Sequence, residues 1–308
     1  MSQPTVLDAF GPAQDAPSGV GYGLALRRPG LSPVVSLFAL LLGFSGFALV
    51  VPVVAQLVIR VGHLISGGDW AEYVAAASAY ELPIGPFSSH LGLAMLIPVS
   101  ILIVRYLIGV RPRWLASVQP GIRWRYLLVC LVVAVVVLNG ALWLSYLVTG
   151  MPTFGAGQEG WITFAFLLAV SAPLQAAAEE VFFRGFVLQA IGAASGRQWI
   201  GVVGSSLLFA LLHGVQNPAL FAHRFAFGLV AGTLVVVTGG LEAGIAAHIV
   251  NNLGAYGYAM FTMSISQLKA VTEISWGEAA WNIAGYALFG IVAWIVGSRL
   301  FRLPTTTP

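Results

Sequence analysis

Charged residues are scarce in this chain of 308 residues, since Asp, Glu, Lys and Arg together make up only 8% of it. Soluble domains carry about 25% charged residues, so this chain has too few to cover a water-facing surface. A soluble multidomain enzyme is therefore excluded, and the apolar content of 58% excludes a disordered chain as well. The mean hydropathy of +0.90 favours a polytopic helical membrane protein.

Cysteine and clustered positive charge are almost absent too. The single cysteine, Cys130, lies in the apolar run 127–138, which excludes an intramolecular disulfide and a cysteine-based metal site. The chain has 14 Lys and Arg against 11 Asp and Glu, a net charge of +3, without any long Lys- or Arg-rich run. Such scattered charge does not follow a phosphate backbone, so we expect no nucleic-acid partner.

What the chain has in abundance is apolar stretches, and eight of them are candidates to cross a bilayer. A spanning helix needs about 20 residues, and the fifth and sixth stretches are shorter than that. The sequence therefore predicts an all-α protein, a polytopic membrane helix bundle of about eight transmembrane helices in a lipid bilayer. The stretches are approximately 34–59, 91–110, 126–148, 161–191, 200–213, 225–238, 243–263 and 281–300.

Basic residues recur in alternate loops, and the positive-inside rule assigns such loops to the cytoplasm. Arg27 precedes the first span, Arg197 lies in the fourth connection, and four arginines lie within residues 111–125. The opposite loops carry acidic residues such as Asp69 and Glu159. We therefore expect both termini in the cytoplasm. The Gly-rich, apolar composition without targeting features indicates a bacterial inner-membrane protein.

The sequence indicates one domain. It shows neither a soluble unit nor a convincing repeat between its halves. Residues 1–30 are predicted to form a flexible cytoplasmic tail, residues 31–303 a single transmembrane domain, and residues 304–308 a second short tail.

Three ionisable residues interrupt the fourth apolar stretch, where each costs about 2.5–3.5 kcal/mol at bilayer depth. Glu180 and Arg184 are four residues apart, so on a helix they share a face and can form an internal ion pair. Glu179 points about 100° away from that pair. An unpaired carboxylate in a dry environment suits a general base, whereas the ion pair alone is also explained by helix packing.

Three further polar side chains lie in apolar surroundings. His213 ends the fifth stretch, and His248 and Asn252 share a helix face in the seventh because they are four residues apart. A single intramembrane histidine is often only a hydrogen-bonded packing residue. Together with Glu179, however, these residues come from three spans with little other buried polarity, and we predict that they form one site.

Two chemical schemes fit this set of residues. A carboxylate and a histidine can hold and deprotonate a water molecule, while a second histidine and an amide donate hydrogen bonds to the oxyanion of a hydrolysed peptide bond. Alternatively, Glu179, His213 and His248 are a plausible ligand set for one catalytic divalent metal ion, zinc, with an open position. The sequence contains no His-Glu-x-x-His motif, so both schemes stay open.

The motifs and their order resemble a known family. Glu179-Glu180-x-x-x-Arg184, Phe209-x-x-x-His213 and His248-x-x-x-Asn252 occur in successive apolar stretches. They resemble the type II CAAX prenyl endopeptidases, also called the CAAX-protease and bacteriocin-processing, or Abi, family of intramembrane proteases. The resemblance covers residues 161–263, which would be a protease-like core.

The resemblance implies an endopeptidase that hydrolyses a membrane-associated peptide or protein substrate. Glu179 would activate water together with His213, while His248 and Asn252 would stabilise the oxyanion. The supporting residues would be Glu180, Arg184 and Phe209. It fixes neither the substrate nor the metal dependence.

The main alternatives are a proton- or ion-coupled transporter, whose buried polar residues would form a path, and an inactive membrane scaffold. Transporters usually show a repeat with broken helices in both halves. Here polarity is concentrated between residues 179 and 252, which favours a single catalytic chamber. His213 and His248 can meet only if the fifth span ends within the membrane, and the break at residues 214–218 permits this.

Overall fold

The computed structural model describes residues 12–308, and every regular element in that part of the chain is a helix. Pairing of extended backbone is limited there to isolated bridges such as Gln14 with Val110. The predicted all-α class is therefore confirmed. The α-helices are α1 (Pro33–Ser66), α2 (Trp70–Ser78), α3 (Ile84–Ala94), α4 (Leu96–Leu102), α5 (Trp124–Thr149), α6 (Trp161–Glu180), α7 (Leu188–Ser195), α8 (Gln198–Leu211), α9 (Pro218–Thr238), α10 (Glu242–Thr262), α11 (Ile265–Lys269) and α12 (Trp276–Ile295).

Six helical segments are long and apolar enough to cross a bilayer, as expected of an integral membrane protein. Two of the eight predicted spans are not among them. Helix α8 has only 14 residues, about 21 Å, against a hydrocarbon core of about 30 Å. Helix α10 has 21 residues but contains several polar side chains. The six segments are Pro33–Ser66, Ile84–Ile108, Trp124–Thr149, Trp161–Ser195, Pro218–Thr238 and Trp276–Leu300.

Helix α6 continues without a break into a wider π-type turn, Val181–Val187, and then into α7. The π-type turn begins immediately after Glu180 and contains Arg184. Single π turns inside helices occur frequently at functional sites. The irregularity therefore marks the same part of the chain as the ionisable residues.

Helices α6 and α10 lie at the centre of the bundle. Helix α6 packs against α3 and α10, and α10 also packs against α5 and α9. The approach of α10 to α6 is close at Gly244, where a Cβ atom would lie 2.8 Å from Glu180 Oε2. Glycine at this position thus lets the two helices bring their polar residues together.

The flexible tail predicted over residues 1–30 is not seen from residue 12 onward. Tyr22 is fully buried, and the backbone N–H of Val20 donates to Thr307 Oγ1 at 3.0 Å. The reason is that this segment carries apolar side chains which the bundle covers. The predicted C-terminal tail is held at Thr307 by the same contacts. Residues 1–11 lie outside the described residues.

Candidate active site

A polar seam runs between α6 and α10. On each helix its residues recur every four positions, which puts them on one face. Gln175 bonds to Asn252, and Glu179 lies opposite His248, so the later residue on α6 faces the earlier residue on α10 and the helices are antiparallel. The seam comprises Ser171, Gln175 and Glu179 on α6 and His248, Asn252 and Tyr256 on α10.

His90 of α3 closes one end of the seam. Its Nδ1 lies 2.9 Å from Ser171 Oγ, and its Nε2 lies 3.0 Å from the Tyr256 hydroxyl. The histidine is buried and ties α3 to both seam helices. Sequence reasoning missed His90 and Gln175, because their partners lie on other helices, 81 and 77 residues away along the chain.

Glu179 lies in the middle of the seam and is only 7% exposed. Its Oε2 is 3.5 Å from His248 Nε2. Within residues 12–308 this oxygen makes no hydrogen bond, although most buried side-chain oxygens have a partner. Glu179 is therefore a carboxylate held next to a histidine with hydrogen-bonding capacity to spare.

Glu180 differs in that one of its oxygens is tightly held, while its Oε2 makes no hydrogen bond within residues 12–308. Its Oε1 accepts a hydrogen bond from Arg184 Nη1 at 3.0 Å and a second from His248 Nδ1 at 2.8 Å. The side chains of Glu180 and Arg184 are both fully buried. The ion pair predicted from their spacing is confirmed. It also requires that His248 carry a proton on Nδ1, which fixes the orientation of this ring toward Glu179.

The charges of the cluster balance only if it holds one further proton. Glu179 and Glu180 contribute two negative charges and Arg184 one positive charge. A proton between Glu179 Oε2 and His248 Nε2 brings the total to zero, and burial strongly favours a neutral cluster. With that proton on Nε2, the His248 ring presents an N–H toward the Glu179 carboxylate.

Phe209 of α8 joins the rest of the cluster. Its ring centroid is 4.2 Å from the Arg184 guanidinium carbon, which is a cation–π contact. The same ring lies 4.4 Å from the His213 ring and 6.1 Å from the His248 ring, between centroids. Phe209 thus touches both histidines and covers the buried arginine.

His213 follows the end of α8 and is exposed. Its Nδ1 donates a hydrogen bond to the Phe209 carbonyl oxygen at 2.6 Å. Because a carbonyl only accepts, the proton is on Nδ1, and Nε2 is left as an acceptor. Among the described residues His213 is linked to the cluster through Phe209, and its hydrogen bonds do not reach Glu179.

Asn252 has an oriented amide. Its Nδ2 donates to Gln175 Oε1 at 2.8 Å, and its Oδ1 accepts from Asn251 Nδ2 at 3.1 Å. These two bonds use the oxygen and one of the two N–H groups. One N–H of Asn252 is available on the seam for another acceptor.

The proposed zinc ligands do not assemble into a metal centre. Within the described part of the chain, residues 12–308, no group of three His, Cys, Asp or Glu side chains converges closely enough to hold an ion. The bonds of His213 Nδ1 to the Phe209 carbonyl and of His248 Nδ1 to Glu180 leave Nε2 of both rings free, so hydrogen bonding does not prevent ligation. The three side chains Glu179, His213 and His248 are nevertheless not brought to one point in the described residues.

The fold and the seam define an integral membrane protein with a buried carboxylate, histidine and amide site. Residues 159–254 match the family model described as "Type II CAAX prenyl endopeptidase Rce1-like". This confirms the resemblance inferred from the motifs. The matched segment is 96 of the 308 residues (254 − 159 + 1) and contains Glu179, His213, His248 and Asn252.

One curated relative also matches only part of the chain. It is the "Uncharacterized protein YyaK" of Bacillus subtilis (strain 168), which is 35% identical over 109 residues. The alignment covers 33% of this chain and 36% of that protein, so the similarity spans about a third of each. No solved structure matches the chain.

Proposed function

We propose that the protein is an intramembrane endopeptidase, which hydrolyses a peptide bond with a water molecule activated by Glu179. The observation that carries this proposal is the convergence of Glu179, His248 and Asn252 on one seam between α6 and α10. All three lie inside the segment that matches a family of endopeptidases. A base and two oxyanion donors are the groups that hydrolysis of an amide requires.

In this mechanism Glu179 takes a proton from water while the water oxygen attacks the scissile carbonyl carbon. His213 Nε2 is the second acceptor that orients the water. The carbonyl oxygen becomes an oxyanion and accepts hydrogen bonds from His248 Nε2–H and from the available N–H of Asn252. Collapse of the tetrahedral intermediate breaks the C–N bond, and the proton on Glu179 passes to the departing amine.

Glu180, Arg184 and Phe209 act by holding these groups. Glu180 fixes the tautomer and orientation of His248 through the 2.8 Å hydrogen bond to Nδ1. Arg184 compensates the charge of Glu180, and Phe209 packs between Arg184 and the two histidines. A fixed donor geometry is what makes oxyanion stabilisation effective.

The substrate in this proposal is a membrane-associated peptide or protein, and the compartment is the bacterial inner membrane. We propose that the end of the bundle with both termini faces the cytoplasm. The support is that Arg27, Arg111 and Arg197 lie in segments of that end, in agreement with the positive-inside rule. Prenylation of the substrate is not part of the proposal.

The proposal is tested by sequencing newly formed protein N-termini in membranes of cells that express the wild type or Glu179→Gln. We expect a set of N-termini that is present with the wild type and absent with Glu179→Gln and His213→Ala at equal expression. Glu159→Gln is the matched control, since Glu159 is exposed in a loop of the same matched segment. Products that persist at the wild-type level in Glu179→Gln would refute the role of Glu179.

A further inference from the structure

A cavity of about 300 Å³ lies between α5, α10 and α12, on the face of α10 next to the seam. Its size is at the lower end of the range for ligand pockets. The wall combines apolar side chains such as Leu138 and Val250 with neutral polar ones. The polar lining residues are Asn139, Tyr146, His223, Asn251, Tyr258, Asn282 and Tyr286.

A chain of hydrogen bonds connects this cavity with Asn252 of the seam. The Tyr286 hydroxyl donates to Asn251 Oδ1 at 2.7 Å, and Asn251 Nδ2 donates to Asn252 Oδ1 at 3.1 Å. Because Tyr286 uses its only proton on Asn251, its oxygen accepts from His223 Nε2, which lies 3.0 Å away. Residues in the wall of the cavity therefore orient the Asn252 amide, which donates to the oxyanion in the proposed mechanism.

The other ring nitrogen of His223, Nδ1, is an acceptor without a partner among the described residues. With the proton on Nε2, its Nδ1 carries a lone pair. In the part of the chain that the structure describes, this Nδ1 is buried and has no hydrogen-bond partner. Buried polar atoms are normally satisfied, so this nitrogen marks a departure from ordinary packing at the cavity wall.

The lining also limits what the ligand can be. The residues that line the cavity include no Asp, Glu, Lys or Arg within the described chain, so a charged group would be buried without a counter-charge. Helices α5 and α12 beside it are candidate membrane spans, and in the bilayer core free backbone N–H and C=O groups cost several kcal/mol each. Asn139 and Tyr258 already bond to each other at 3.1 Å. The side chains of Asn282 and Tyr146 make no hydrogen bond among the described residues, so an amide and a hydroxyl are left as partners for such backbone groups.

We propose that this cavity binds the unwound backbone of a membrane-embedded substrate segment beside the scissile bond. The inference rests on the proposed endopeptidase function, because a helical segment must lose its internal hydrogen bonds before water can reach a peptide carbonyl. The cavity supplies new hydrogen-bond partners for the backbone groups that unwinding frees. Through Asn251, binding of the segment in the cavity also influences the orientation of Asn252.

Two glycines of α10 provide a matched pair of probe positions. A Cβ atom at Gly254 or at Gly257 would meet nothing within 4 Å among the described residues, and neither glycine has a positive φ. Gly254 lines the cavity, whereas Gly257 does not. The native Cys130 is buried, so the chain without a new cysteine gives the background.

The first test is photocrosslinking in liposomes, in a Glu179→Gln background so that cleavage plays no part. Gly254→Cys and Gly257→Cys are labelled with benzophenone maleimide. They are mixed with synthetic transmembrane peptides of Leu and Ala, with or without a central Gly-Pro break. We expect the broken peptide to crosslink at position 254 at least fivefold more than the continuous peptide, and at least fivefold more than at position 257. Equal crosslinking of both peptides or at both positions would overturn the proposal.

The second test measures cleavage in the active protein. Gly254→Leu fills the cavity, and we expect it to reduce the Glu179-dependent N-termini at least tenfold, whereas Gly257→Leu leaves them unchanged. Full cleavage in Gly254→Leu would overturn the cavity proposal while the endopeptidase function stands. If no N-terminus depends on Glu179, the endopeptidase function itself fails, and the crosslinking result still reports on the cavity separately.

Discussion

The protein should be far less stable when one member of the buried pair Glu180 and Arg184 is replaced than when both are replaced. In Arg184→Met, the Glu180 carboxylate keeps its hydrogen bond from His248 but loses the guanidinium 3.0 Å away, and the cluster gains a net negative charge. Glu180→Leu gives the opposite imbalance. The double substitution removes both charges, and Glu179 with a protonated His248 then remains neutral.

The expected magnitudes follow from the burial of the pair. Both side chains are fully buried, and removal of one member of a buried ion pair costs about 3–5 kcal/mol. Arg184→Met also loses the contact with the Phe209 ring at 4.2 Å, which contributes about 2 kcal/mol when it is desolvated. Replacement of a buried pair by apolar residues of similar volume is often neutral or stabilising. We therefore expect the double variant to lie close to the wild type.

Cys130 provides the assay. It is fully buried on α5 and is the only cysteine of the chain, so a thiol-reactive fluorophore reports its exposure on unfolding. Heating curves in detergent should show a clearly lower midpoint for each single variant and recovery in Glu180→Leu/Arg184→Met. Single variants as stable as the wild type, or a double variant as unstable as the sum of the singles, would refute the charge argument.

Two further variants test the geometry of the seam. Gly244→Ala should lower activity, because its Cβ would lie 2.8 Å from the Glu180 carboxylate; Gly257→Ala on the same helix is the control, and equal activity of the two in a cleavage assay would contradict the close approach. Gln175→Leu removes the acceptor that orients Asn252. It should lower kcat by less than the roughly 100–1000-fold loss typical of removing an oxyanion donor, with KM unchanged, and a change confined to KM would argue against a positioning role.

Short-range periodicity was sufficient to predict the contacts within a helix. The spacing of Glu180 and Arg184 predicted their ion pair, and the spacing of His248 and Asn252 predicted a shared face. Both follow from the rise and twist of an α-helix and need no tertiary information. The apolar stretches likewise predicted the helical class, because a bilayer admits few other structures for such segments.

Contacts between helices could not be predicted in the same way. The bond from Asn252 to Gln175 depends on the register of α10 against α6, which is set by packing at positions such as Gly244. Gln175 was therefore not singled out, although it lies one turn before Glu179 on the same face. The apolar stretch 200–213 already indicated the 14-residue length of α8, but the position of His213 relative to Glu179 depends on how α8 packs, which spacing along the chain does not give.

The seam leaves several buried polar atoms without a hydrogen bond. A polar network that only held helices together would be expected to satisfy its own members, because an unpaired polar atom in a low-dielectric interior is costly. Of the nine buried side-chain atoms without a partner in residues 12–308, four belong to Glu179, Glu180 and Arg184, at and beside the proposed base. A fifth is His223 Nδ1 in the wall of the adjoining cavity, and the other four lie elsewhere, on His63, Gln189, Gln198 and Ser205. The hydrolase proposal gives Glu179 Oε2 a partner, the attacking water molecule, and packing alone does not.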